Sequence, residues 1–399
     1  MPRLKVVTKL KLRTKKSPFK DVGRWFLESF RTLYMVACRM VLGIDRDKVV
    51  FSSFTARTYG DNPKPISEKL HELRPQTKIV WMFRDPASKK AIVPDYVILR
   101  DPISFAGLRD YATARVWVDN FTLQRFLKRR IGQQFYLNTW HGDRAFKKIA
   151  YDAFPERRLR IEESCDLMLA GSAFGKKMIR SAFRFEGQIL AAGGPRNDML
   201  IRNDPAQRAA IRAKLGVPAE AKLLIYCPTF RDSTRLVAFH CPIDLDTALN
   251  ALEQKTGNRW LCLFRAHQLA KGGLDLKEGG RLLDVTKYED MADLLLASDA
   301  LITDYSSAAM DFALTGRPIF LYQADRDEYV AHDRRLYFDV SETPFFVARD
   351  MEELIKIIAA TDADAARKNC AAIASYFGYL ETGHATERAC ERIIQWMEK

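Results

Sequence analysis

Five short polar clusters in this chain carry residue types suited to moving protons and holding phosphates. In Asn138-Thr139-Trp140-His141-Gly142-Asp143 an imidazole follows an apolar run and precedes a glycine. Imidazole titrates near neutral pH and can take a proton from an alcohol. The glycine lets a ligand or another backbone come close. Lys147 and Lys148, a few residues on, carry charge suited to a phosphorylated acceptor. The same residues also suit a histidine bonded to nearby backbone, with both lysines solvated.

Arg265-Ala266-His267 places a fork donor and an imidazole on alternate residues. Extended backbone points both to one side, and the pair fits a phosphate oxygen; an Arg–carboxylate pair beside an unrelated histidine fits equally. Pro228-Thr229-Phe230-Arg231 stops an apolar run and supplies a second donor pair, or a capped turn with Arg231 bonded to Asp232. In Gly193-Gly194-Pro195-Arg196-Asn197-Asp198 the paired glycines suit a tight connection. Arg196 either reaches a cleft or belongs to a rigid hinge. Leu301-Ile302-Thr303-Asp304-Tyr305-Ser306-Ser307 is an apolar run feeding a helix expected from Ser306. Free N–H groups behind hydroxyl residues suit a phosphate, though a serine there is also an ordinary cap.

The elements that must position these clusters alternate. Short apolar runs at Val49–Phe54, Ile79–Phe83, Tyr96–Leu99, Ala114–Val118, Gln134–Trp140, Leu167–Ala170 and Ile189–Ala192 are separated by helical patterns. A second series follows at Lys222–Cys227, Trp260–Phe264, Leu282–Val285, Ala300–Thr303, Pro318–Tyr322 and Phe345–Val347. Such alternation means α/β architecture with parallel sheets. Two series divided near Gly193–Pro218 predict two doubly wound, Rossmann-like domains, 46–193 and 194–375, facing a cleft. Ligands in such sheets sit beyond the carboxyl ends of the strands. Residues 376–399 are expected to form a helix that docks on the first domain.

The chain has 399 residues and a net charge of +14. The excess is uneven, since residues 1–48 hold thirteen basic and four acidic side chains. A basic block implies attraction to a polyanion, an anionic membrane or a nucleic acid. From Val22 to Leu42 the pattern is helical and aromatic-rich, with Trp25, Phe26, Phe30 and Tyr34 among arginines. Residues 1–45 thus read as a basic arm and an amphipathic membrane-association helix; a helix packed on the body is the alternative. No groove-reading motif supports nucleic-acid binding. Seven scattered cysteines form no CxxC pair, which suits a reducing compartment. No run is apolar enough to span a membrane, and a signal peptide is not expected. No carboxylate cluster calls for a metal, and no cofactor is expected.

The clusters occur in one order from Thr139 to Ser307, followed by Asp311-Phe312-Ala313 and Arg317-Pro318-Ile319-Phe320-Leu321-Tyr322. With Asp284–Met291 and Asp325–Tyr329, the ensemble resembles the CDP-glycerol glycerophosphotransferase family, the teichoic acid primases and polymerases. The resemblance is clear over Trp140–Asp339. It implies a GT-B fold, a donor site in the second domain, an acceptor side in the first, and a position on the cytoplasmic face of the membrane. It implies that His141 is the general base and that His267 meets the donor pyrophosphate. Ser306 and Ser307 match the phosphate-side helix start, and Arg265, Thr229, Arg231 and Asp311 match motif positions on the donor side. Asp311 is expected to touch the donor ribose or to favour the helix dipole. Asp143, Lys147 and Lys148 are placed on the acceptor side. The sequence departs from the family's usual Trp-His-Gly-Thr-Pro-Leu-Lys at Asp143–Phe146.

The expected activity is transfer of a polyol phosphate, glycerol phosphate first, from a CDP-linked donor to a hydroxyl of a lipid-linked or glycan acceptor, releasing CMP. The alternatives are a GT-B glycosyltransferase using a nucleotide sugar, or a non-enzymatic basic protein that binds membrane or nucleic acid.

Overall fold

The computed structural model describes residues 18–124, 126–156, 165–229, 243–266, 280–332 and 335–399, and side chains from residue 22. Seven strands form the first sheet: β1 Asp45–Ser52, β2 Lys78–Met82, β3 Ile98–Arg100, β4 Ala114–Asp119, β5 Phe135–Asn138, β6 Leu167–Ala170 and β7 Gln188–Ala191. Six form the second: β8 Lys222–Tyr226, β9 Trp260–Phe264, β10 Leu282–Asp284, β11 Ala300–Thr303, β12 Ile319–Tyr322 and β13 Phe346–Ala348. Every pairing within them is parallel. The apolar runs become strands because both faces of each sheet are covered. Val50 and Trp117 face one core layer, for example, while Val49 and Val116 face the other. A strand buried on both faces reads as a continuous apolar run.

The strand orders are β3-β2-β1-β4-β5-β6-β7 and β10-β9-β8-β11-β12-β13. Each order reverses once, between β1 and β4 and between β8 and β11. Crevices open at such reversals, outside the carboxyl ends of the strands. Here those ends carry Phe54 and Asn120 in the first domain, and Thr229 and Asp304 in the second. Two such domains face each other in a GT-B-like arrangement.

Three described segments tie the two domains together. Pro195–Asn197, a short 3-10 turn, leads into the second domain. The helix Ala385–Met397 returns, burying Ala389, Cys390, Ile393 and Met397 against the first sheet. Third, the segment after His141 lies on the second domain. Phe146 is buried against Phe338 and Phe345, and its carbonyl accepts from the Tyr337 amide at 2.8 Å.

The helix Pro18–Leu42 has two dissimilar faces. Met35 and Cys38 are buried in the first domain, and Tyr34 meets Phe105 edge-on. Trp25, Phe26, Leu33, Met40 and Val41 are all more than 60% exposed, an apolar face that the folded body leaves uncovered. Among the described residues no helix is long and apolar enough to cross a membrane.

Candidate active site

His141 stands one step past the end of β5, and the backbone before it is bent to put it there. Trp140 has φ +49°, a left-handed conformation that costs a non-glycine residue of the order of 1–3 kcal/mol. Its amide donates to Asn138 Oδ1 at 2.9 Å, and its carbonyl accepts from Asn62 Nδ2 at 2.9 Å. These bonds hold the turn. Phe121, Phe54 and Trp140 surround the imidazole, with centroids 5.3, 5.3 and 4.3 Å away. The Phe54 amide is tied in turn to Asn120 Oδ1 at 2.7 Å.

His141 Nδ1 lies 2.9 Å from the main-chain oxygen of Asn120. A carbonyl only accepts, so Nδ1 carries the hydrogen, and the neutral ring keeps its lone pair on Nε2. Burial lowers the His141 pKa, opposed in part by the Asn120 carbonyl. The ring is therefore the neutral, proton-accepting form at neutral pH.

Beyond His141 the two domains meet through a buried ionic network. Arg196 Nη1 donates to Asp61 Oδ2 and to the His141 carbonyl, each at 2.7 Å, while Nη2 donates to Asp311 Oδ2 at 2.7 Å. Arg144 Nη2 donates to Asp311 Oδ1 at 3.1 Å and to Glu381 Oε1 at 2.7 Å, over the face of Tyr379. Asn197 Nδ2 bonds both Asp311 and Glu381. Burial opposes both guanidinium charges, yet the carboxylates raise Arg144 and Arg196 above their ordinary pKa. Burial also raises the Glu381 carboxyl, against the pull of Arg144. A second tie lies nearby: Lys64 pairs with Asp290 at 3.1 Å, and Glu289 accepts from Lys89 and from the Tyr59 amide.

The residues singled out from the sequence fall in several places. Ser307 lies against the residue that follows His141: a Cβ placed on Gly142 would stand 3.6 Å from Ser307 Oγ. Thr229 lies past the carboxyl end of β8, its amide donating to both Asp304 oxygens at 2.9 and 3.0 Å. Arg265 follows β9, with Nη1 donating to the Tyr288 carbonyl at 2.9 Å; burial lowers its pKa. His267 and Arg231 lie outside the described residues.

The helix expected from Ser306 starts at Ala308 and runs only to Phe312. Ser307 makes no side-chain cap, and Ser306 Oγ accepts from the Ala308 amide at 3.3 Å. Asp304 takes over much of the local bonding, accepting from the Tyr305 amide as well. Asp311, expected at the ribose or the helix dipole, has both oxygens engaged by Arg196, Arg144 and Asn197. Asp143 is buried; its Oδ2 accepts from the Gly171 amide at 2.7 Å and Ser172 Oγ at 3.2 Å. Lys147 and Lys148 lie where the first domain's chain runs onto the second. Lys147 bridges Leu336, and the Lys148 amide donates to the Arg335 carbonyl at 2.9 Å.

Sequence reasoning missed Asn120, Phe121, Phe54, Asp61, Arg144 and Glu381. Only Arg144 lay inside a cluster singled out for its chemistry.

Two doubly wound domains, with an oriented histidine at one reversal and a hydroxyl-rich loop at the other, define a GT-B-like transferase cleft. The chain belongs to the CDP-Glycerol:Poly(glycerophosphate) glycerophosphotransferase family, whose pattern matches residues 32–395. It is 28% identical, over 98% of its length, to the teichoic acid poly(glycerol phosphate) polymerase of Bacillus subtilis (strain 168). It spans about half the length of that protein and of its Staphylococcus epidermidis counterpart, 53% and 46%. It is 29% identical to the teichoic acid glycerol-phosphate transferase of Staphylococcus aureus (strain NCTC 8325 / PS 47), over 88% of this chain and 94% of that protein. Among solved structures, the wall teichoic acid polymerase TagF superposes with a TM-score of 0.82 at 28% identity, covering 95% of this chain and 96% of that one. A variant of that polymerase soaked with CDPG gives the same TM-score, 0.82.

Proposed function

We propose that this chain transfers glycerol phosphate from CDP-glycerol to a hydroxyl of a lipid-linked or glycan acceptor during teichoic acid synthesis, releasing CMP. One observation carries the reading: the Asn120 carbonyl fixes the His141 tautomer and leaves Nε2 as the acceptor, while the next residue, Gly142, lies against Ser307. His141 Nε2 takes the acceptor proton. The acceptor oxygen forms a bond to the donor's distal phosphorus, the bond from that phosphorus to CMP breaks, and CMP leaves with the electron pair. Arg265, Thr229, Ser306 and Ser307 lie on the donor side, with Arg231 and His267 assigned there by motif. Positioning and fixed positive charge supply most of the catalysis in phosphoryl transfer. Asp143, Lys147 and Lys148 belong to the acceptor side of the same reading. The reaction uses no cofactor beyond the donor itself.

The reading also places the chain peripherally on the cytoplasmic face of the membrane, held by its basic terminal residues and the uncovered face of the helix Pro18–Leu42. The test is a donor screen with purified protein. CDP-glycerol, CDP-ribitol and UDP-sugars are supplied with a lipid-linked acceptor, and CMP or UDP release is measured. CMP release with CDP-glycerol is expected. UDP release from a UDP-sugar, with none from either CDP-polyol, would replace this reading with sugar transfer.

A further inference from the structure

The first sheet carries a second cavity at the end away from His141. The amino ends of β1 and β4 and the approach to β5 surround a space of about 400 Å³, lined by Ile44, Arg46, Arg115, Gln133, Trp396 and Lys399. That volume is within the range of small-ligand sites. No acidic side chain lines it. The carboxylate side chains next to the lining residues in sequence are engaged elsewhere: Asp45 with Lys78 and Asp47 with Arg74, each at 2.8 Å, and Glu398 with Arg74 at 3.5 Å.

Among the described residues no carboxylate side chain pairs with the cationic groups that line the cavity. Arg115 donates from Nη1 to the Gln133 carbonyl at 2.6 Å and from Nη2 to the Trp396 carbonyl at 3.1 Å. Its guanidinium sits 5.6 Å from the centre of the Trp396 ring, and the Lys399 ammonium 5.5 Å from it. Arg115 Nε and Trp396 Nε1 are both buried and unbonded. Arg46 is exposed and makes no ion pair among the described residues. Burial and then the facing Arg46 charge lower the Arg115 pKa. Like charges brought together without a carboxylate side chain are unfavourable unless an anion joins them.

The surroundings indicate the kind of anion. The helix Pro18–Leu42 ends three residues before Asp45, exposing Met40 and Val41 at 82% and 81%. Ile131, 74% exposed, immediately precedes Gly132 of the cavity wall. A cationic pocket with an apolar fringe suits a phosphate that carries acyl chains.

We propose that this cavity binds the phosphodiester of an anionic phospholipid headgroup, at the opposite end of the first sheet from the catalytic cleft. It deepens the membrane part of the function proposed above and is independent of the donor chemistry. The test uses the full chain and dioctanoyl phosphatidylglycerol below its micelle-forming concentration, titrated by calorimetry. Inorganic phosphate and dioctanoyl phosphatidylcholine are titrated in parallel. One saturable site for phosphatidylglycerol is expected, weakened about fivefold or more by Arg46→Ser. Lys368→Ser, which removes an exposed lysine of the other domain, leaves it unchanged. Arg46→Ser also leaves CMP release from soluble substrates unchanged. Absence of saturable binding, or equal weakening by both variants, would overturn the site. Inorganic phosphate binding as tightly as the lipid would overturn the lipid assignment. Weaker vesicle binding by variants of the exposed helix face, with the soluble lipid still bound normally, would separate the two membrane contacts and support the pocket.

Discussion

Arg196 Nη2 lies 2.7 Å from Asp311 Oδ2, so one guanidinium joins the crossover turn to the helix Ala308–Phe312 of the second domain. Its other nitrogen holds the carbonyl of His141. The relative placement of the domains and the position of the base are therefore set together. Arg196→Ala leaves Asp61 and Asp311 buried without that partner. Breaking a buried pair in this way costs about 3–5 kcal/mol, to be read as a lower urea midpoint. Arg196→Lys keeps the charge but has no fork to span three acceptors. It is expected to recover part of the stability and little of the rate.

Gly175 marks how tightly Asp143 is held. A Cβ at Gly175 would stand 1.9 Å from Asp143 Oδ2, in a helix start where Ser172 Oγ also accepts from the Gly175 amide. Gly175→Ala is expected to displace Asp143 and to destabilise by about 1–3 kcal/mol. Gly23→Ala is the control, since nothing lies within 4 Å of a Cβ there. In mid-helix it should be neutral or stabilising by up to about 1 kcal/mol. Thermal unfolding of both variants checks the contrast.

Asp119 closes β4 one residue before the carbonyl that orients His141. Burial pushes its carboxyl up to about 7, against donation from Ser52 and the Phe121 amide. The folded state thus binds more protons than the unfolded state between the ordinary aspartate value of about 3.9 and 7. Its contribution to stability is full below that window and is lost as pH rises through it. The slope is at most about 1.4 kcal/mol per pH unit. Asp119→Asn is expected to remove this slope, as measured by urea unfolding at pH 4.5, 6 and 7.5. An unchanged pH dependence would exclude Asp119 as its source.

Removing the whole terminal helix would be a poor test of membrane attachment, because Met35 and Cys38 belong to the core of the first domain. The exposed face offers a cleaner one. Trp25→Glu with Phe26→Glu alters two side chains that are each 62% exposed. Vesicle co-sedimentation is expected to fall at least tenfold with unchanged thermal stability. Undiminished binding would remove this face from the membrane contact.

The strands were legible because they are buried on both sides, so apolar runs such as Leu167–Ala170 and Ala300–Thr303 stand out without any pairing information. Tyr96–Leu99 was displaced toward Ile98–Arg100, where only three half-buried residues carry the signal. His141 was legible from its motif, but its orientation was not. The partner that fixes its tautomer is a main-chain carbonyl, which any residue at position 120 would provide. The partners of Asp311 were not legible because they lie more than a hundred positions away, at Arg144 and Arg196. The helix expected from Ser306 begins two residues later, at Ala308, whose amide donates to Ser306 Oγ.

His141 also sets an expected pH profile. Its lowered pKa keeps the base form populated below the ordinary histidine value of about 6.5. The acid limb of kcat/KM should therefore fall at a lower pH than an unperturbed histidine would give.

The most direct measurement is CMP release from CDP-glycerol by His141→Ala, with the variant's fold checked by circular dichroism and its melting temperature. A positioned general base contributes about 10²–10⁴-fold, and a loss of kcat in that range with a native melting profile is predicted. A folded variant that keeps most of its transfer rate would contradict the assignment of His141 as the base.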